Sequence, residues 1–82
     1  SQVFRPAAAA DVERAYAWYE SERPGLGEEF LNEVYASLQA VVARPAAFPV
    51  LHRNTRRALV RRFPYALFFR VVDERIVFVA CF

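Results

Sequence analysis

The sequence predicts an α+β domain in which an antiparallel helix hairpin lies across an antiparallel sheet, in the order β-α-α-β-β-β. Three observations lead there. Apolar residues recur at helical spacing between Val12 and Val42. From Arg56 to Phe82 the pattern changes to runs of β-branched and aromatic residues. Pro24-Gly25, Phe63-Pro64-Tyr65 and Asp73-Glu74-Arg75 supply the turns.

Gln2-Val3-Phe4-Arg5 reads as a short first strand ended by Pro6. The first helix is expected over Ala8–Glu22, where Val12, Ala15, Tyr16 and Tyr19 share one face. Asp11 and Glu13 are placed to meet the positive end of its dipole. Pro24-Gly25 then reverses the chain into a second helix over Gly27–Ala43. Its apolar stripe is Phe30, Leu31, Val34, Leu38, Val41 and Val42, with Glu28, Glu29 and Glu33 early and Arg44 late. A short link between two amphipathic helices implies an antiparallel pair.

Pro45 and Pro49 bracket an irregular connection in which Phe48, Val50 and Leu51 are expected against the core, followed by a polar loop, His52 to Thr55. The meander strands are expected at Arg57–Phe63, Ala66–Val72 and Arg75–Phe82. Strict alternation puts Leu67, Phe69 and Val71 on one face of the middle strand. On the last strand it sets Val77, Val79 and Cys81 against Ile76, Phe78, Ala80 and Phe82. Both faces are largely apolar; one carries the helices and the other is a candidate contact surface.

Eighty-two residues make one domain, 1–82, with a marginal core. A single cysteine excludes an internal disulfide, and one Cys with one His argues against a zinc site, so no metal or cofactor is expected. The chain is 56% hydrophobic, with eight Phe, four Tyr and one Trp, which is more apolar surface than so small a domain buries. An apolar patch covered by another chain follows, and such a partner adds stability by mass action. No apolar run reaches the roughly 18 residues that span a bilayer. The N-terminus is not a secretory signal, and the lone thiol agrees with the cytoplasm.

Net charge of +2 conceals a division. Residues 1–33 hold three Arg against seven acids, whereas residues 34–72 hold seven Arg and no acid. An acidic helical half and a basic sheet half imply an anionic partner for the sheet.

Phe4-Arg5-Pro6-Ala7-Ala8 before Asp11-Val12, Ala17-Trp18-Tyr19-Glu20, and Pro24-Gly25-Leu26-Gly27-Glu28-Glu29-Phe30 together resemble the RelE/ParE toxin superfamily. Pro45, Phe48-Pro49, Arg56-Arg57-Ala58-Leu59 and the run from Arg61 to Val71 complete the likeness, which spans nearly the whole chain. Members often continue with a His-x-x-Arg-Asp segment, so the resemblance implies a toxin domain lacking a C-terminal tail. The ParE-like branch implies a non-enzymatic poison of DNA gyrase from a plasmid-stabilising type II toxin–antitoxin system, held in a hetero-oligomer by a ParD-like antitoxin. The RelE-like branch implies a ribosome-dependent mRNA endonuclease, and a non-toxic interaction module of the same fold is a third reading.

Cleavage by 2′-hydroxyl attack needs a general base, a general acid and cationic stabilisation of the transition state. His52 and the arginine cluster Arg53, Arg56, Arg57, Arg61, Arg62 and Arg70 are the pool, and the nuclease set would be Arg57, Arg61, Arg62, Tyr65 and Arg70. A loop histidine is more often solvated than catalytic, and a tyrosine after a turn proline more often packs the turn. Arginine is a poor proton shuttle but a good bidentate ligand for phosphate or carboxylate, so this set favours binding over proton transfer. The acids Glu20, Glu22, Glu28, Glu29 and Glu33 read as a solvated helix face. Trp18 lies off the first helix stripe and is expected to be exposed. The antitoxin surface is accordingly expected to comprise Trp18, Tyr19, Tyr35, Arg57, Arg61, Arg62, Phe68 and Arg70.

Overall fold

The chain places its helices before most of its sheet, and the strands then return one by one toward the N-terminus. The computed structural model describes residues 1–82. It contains β1 (Gln2–Phe4), α1 (Pro6–Glu22), α2 (Leu26–Ala43), a 3-10 turn (Pro45–Ala47), β2 (Val50–His52), β3 (Thr55–Leu59), β4 (Ala66–Val72) and β5 (Arg75–Cys81). The five strands form one sheet in the order β1-β5-β4-β3-β2. The sheet is mixed, because β1 runs parallel to β5, pairing Gln2, Val3 and Phe4 with Ile76, Val77 and Phe78. The remaining pairs are antiparallel.

Helix α1 begins at Pro6, two residues before the expected Ala8, because proline suits a first-turn position where its missing N–H goes unused. Asp11 and Glu13 therefore fall beyond the first turn, and their expected role at the helix dipole does not apply. In α2, Glu28 and Glu29 do occupy the first turn, while Arg44 is the C-cap. The link between the helices depends on Gly25, at φ 91°, a conformation that L side chains rarely adopt. Glu20 closes this corner: its carboxylate accepts the Gly25 N–H at 3.0 Å and the Gly27 N–H at 2.9 Å. It is a cap for the next helix, not the solvated acid expected from the sequence. A Cβ at Gly27 would lie 2.7 Å from the Tyr16 ring and 2.8 Å from Glu20 Oε1, so the two helices meet where only glycine fits.

Three sheet expectations are revised. Val50 and Leu51 are not tucked into the core; they are about half exposed in the edge strand β2, leaving Phe48 alone to pack against Phe69. Strand β3 ends at Leu59 instead of Phe63. There the Val60 N–H donates to the Tyr65 carbonyl and closes a loop in which Arg62 takes φ 73°. Alternation along β5 also fails. Phe68 faces Ala80 while the next residue, Phe69, faces Phe78, so Val79 is an extra residue in a β-bulge. Ile76 and Phe78 share the buried, helix-facing side, but beyond the bulge Cys81 joins them in place of Ala80.

The core lies between the hairpin and this face. Phe30, Phe69, Phe78 and Leu67 are fully buried, each contributing about 2 kcal/mol of apolar burial. Tyr19, Phe30, Phe63 and Tyr65 form an aromatic cluster with centroids 4.9–6.0 Å apart. Ser37 Oγ donates to the Leu59 carbonyl at 2.8 Å and latches α2 to the end of β3.

Candidate partner-binding surfaces

Strand β1 covers only the first half of β5. Past Phe78, whose carbonyl accepts the Arg5 N–H, the chain turns away into α1 and leaves the rest of that edge without a strand neighbour. The Asp11 carboxylate takes the neighbour's place and accepts the Cys81 N–H at 2.9 Å while also pairing with Arg14. Sequence reasoning missed this role, since Asp11 and Cys81 are 70 residues apart.

A groove of about 660 Å³ opens at this edge. Ala15, Tyr19 and Cys81 lie low in it, Asp11, Arg14 and Trp18 form one wall, and Pro64, Tyr65 and Phe82 the other. Trp18 is 58% exposed and meets Tyr19 edge-on at 5.1 Å. Tyr19 itself is buried, so it shapes the groove and is not the surface anchor expected of it. Burial, and then the neighbouring Tyr65, pushes its hydroxyl pKa up. Burial also raises the Cys81 thiol to about 11, with the Asp11 carboxylate adding to the effect.

The second surface is the sheet face turned from the helices. Arg57 and Leu59 on β3 and Phe68 and Arg70 on β4 project there, with Arg57 directly opposite Phe68. Phe82 stacks on Phe68 with centroids 4.5 Å apart and planes 18° apart, and it is 70% exposed. Arg70 Nε donates to Thr55 Oγ1 at 3.2 Å. No carboxylate lies within ion-pair distance of Arg57 or Arg70. Leu59 and Phe82 were not picked out from the sequence. Their positions on alternating strands were the available signal, and the bulge in β5 obscured it for Phe82.

The remaining arginines are dispersed. Arg56 points to the inner face and donates to the Phe48 carbonyl. Arg62 turns to α2, 3.0 Å from Glu29 and 3.8 Å from Glu33, and it lies 5.5 Å from the Phe63 ring centre. The Arg62 guanidinium thereby holds the Glu29 carboxyl below its ordinary pKa, assisted by Arg23. Arg61 is exposed in the same loop, and Arg53 sits in the β2–β3 turn beside the exposed His52. Tyr35 is exposed on α2 and does not line the groove. The nuclease set does not converge: Arg57 and Arg70 share the sheet face, Arg62 is engaged by acids, and Tyr65 packs against Tyr19 and Phe30.

The family model described as "ParE toxin of type II toxin-antitoxin system, parDE" matches residues 3–81. The chain belongs to the ParE toxin family. Among solved structures, one described as the chromosomal ParDE TA system from P. aeruginosa matches with a TM-score of 0.86 at 19% identity. The match covers 99% of this chain and 91% of that one. At that identity the likeness is one of fold. No curated protein matches the chain. Membership of the ParE family makes the chain a toxin of the type II class, and the two surfaces above are what this member presents outside its core. No helix is long and apolar enough to cross a membrane.

Proposed function

We propose that this ParE family toxin inhibits DNA gyrase and is held inactive by a ParD-like antitoxin in the cytoplasm. The family match over residues 3–81 carries the reading. The dispersal of the nuclease set favours a poison that binds over an enzyme that cleaves. The antitoxin contributes an amphipathic helix to the groove beside α1, with Trp18 as the anchor, and an extended acidic segment along Arg57 and Arg61. Arg62 is a weaker contact than its neighbours, since Glu29 and Glu33 already occupy its guanidinium.

Two measurements test the parts separately. Trp18→Ala and Arg61→Ala should each weaken antitoxin binding about tenfold or more; affinity unchanged at both positions removes this surface from the interface. Expression of the toxin should cause cleaved DNA to accumulate through gyrase. Cuts in ribosome-bound mRNA with no gyrase effect would replace that target with the RelE-like one.

A further inference from the structure

The basic sheet face joins two features that an acidic peptide would use only in part. Arg57 and Arg70 are exposed on it without acidic partners. Beside them Phe68 backs the ring of Phe82, whose outer surface is open to solvent. Leu59, Phe68 and Phe82 border a hollow of about 280 Å³ with Arg57 in its wall. We infer that this face binds single-stranded nucleic acid, with Arg57 and Arg70 holding successive phosphates and the Phe68–Phe82 pair stacking a base.

The placement follows from strand geometry. Neighbouring strands lie about 4.8 Å apart and same-face residues about 7 Å apart along a strand, so Arg57 and Arg70 are diagonal neighbours flanking Phe68. The Thr55 hydroxyl fixes Arg70 through Nε and leaves its terminal amino groups free to fork onto an anion. Cations alternating with an exposed ring pair suit a flexible single strand, which offers phosphates and unstacked bases together. A duplex keeps its bases stacked, and a chain of acidic residues brings no aromatic ring to Phe82. A guanidinium carries donors and no acceptor, so the face binds a strand without supplying a base to cut it.

The inference does not rest on the antitoxin reading. The antitoxin segment proposed above would overlie Arg57 and exclude the strand, so the test uses the purified chain alone. A fluorescein-labelled oligothymidylate about twelve nucleotides long is followed by anisotropy at about 50 mM salt and upward. Saturable binding is expected, and Arg57→Ala and Arg70→Ala should each reduce the slope of log affinity against log salt by about 0.7. Phe82→Ala should weaken binding about tenfold. Phe82→Leu, which keeps the apolar bulk without the ring, should do the same. The remote Arg44→Ala should change nothing. The substituted positions are exposed, and circular dichroism serves as the check that each variant is folded. The inference is overturned if binding does not saturate, or if these substitutions leave it unchanged. It is equally overturned if an oligoglutamate peptide or a duplex of equal length binds as tightly, since either result assigns the face to charge alone.

Discussion

At the scale of single residues, two small groups carry constraints out of proportion to their size. Gly27 is where α1 and α2 approach most closely, and its N–H belongs to the Glu20 cap. Alanine there gains about 1 kcal/mol of helix propensity. It also puts a methyl group 2.7 Å from the half-buried Tyr16 ring and displaces the Glu20 carboxylate. Overpacking of this kind costs about 1–3 kcal/mol, and loss of the capping bond adds about 1 kcal/mol. Gly27→Ala should therefore lower stability by about 1–3 kcal/mol in urea denaturation, against the trend for exposed helical glycines.

Cys81 gives a pH signature. Its pKa rises from the ordinary 9.0 to about 11, because burial and Asp11 both disfavour the thiolate. The folded chain keeps the proton over a range in which the unfolded chain releases it. The thiol's contribution is thus complete below about pH 9 and is lost as the pH climbs to about 11, at a slope of at most about 1.4 kcal/mol per pH unit. Comparing denaturation of the native chain with Cys81→Ala from pH 8 to 11 isolates that slope, which the variant should lack.

At the scale of elements, the hairpin turns hold unfavourable backbone. Asp73 and Glu74 connect β4 to β5 at φ 50° and 65°, between the paired Val72 and Arg75. Arg53 and Asn54 do the same for β2 and β3 at φ 49° and 65°. Two-residue turns of this type favour Asn-Gly, since side chains other than glycine are strained at positive φ. Replacing Asp73-Glu74 with Asn-Gly should raise stability by about 1 kcal/mol, seen as a higher melting temperature. The β5 bulge is the other device at this scale. One additional residue moves Cys81 under α1 and releases Phe82 to the outer face, so the bulge builds both the groove floor and the aromatic platform.

At the scale of the whole molecule, the radius of gyration of 12.5 Å and extents of 39 × 22 × 22 Å describe an elongated body. A thin core of this kind leaves large apolar side chains outside, among them Trp18, Leu59 and Phe82. Coverage by a partner should then register as stability. If the proposed antitoxin binds only the folded toxin, a free concentration of about 100 times its dissociation constant adds about 2.7 kcal/mol. A melting temperature that rises with antitoxin concentration, and rises less at high salt, checks the apolar and charged contributions together.

The sequence by itself determined the α+β class, both helices, the β4 and β5 segments and the separation of charge. These rest on local periodicity and turn residues within a few positions of one another. It also marked Trp18 as exposed, because that residue lies off the apolar stripe of its helix. Only the tertiary structure decided that β1 pairs parallel with β5, that Asp11 seals the bare β5 edge and that Glu20 caps α2. It likewise separated arginines that look alike in sequence: Arg56 turned inward, Arg62 was taken by Glu29, and Arg57 and Arg70 stayed on the outer face without a carboxylate partner. The physical reason is distance along the chain. Periodicity reports which face a residue takes within its own element, whereas a partner arriving from dozens of residues away decides what that residue does there.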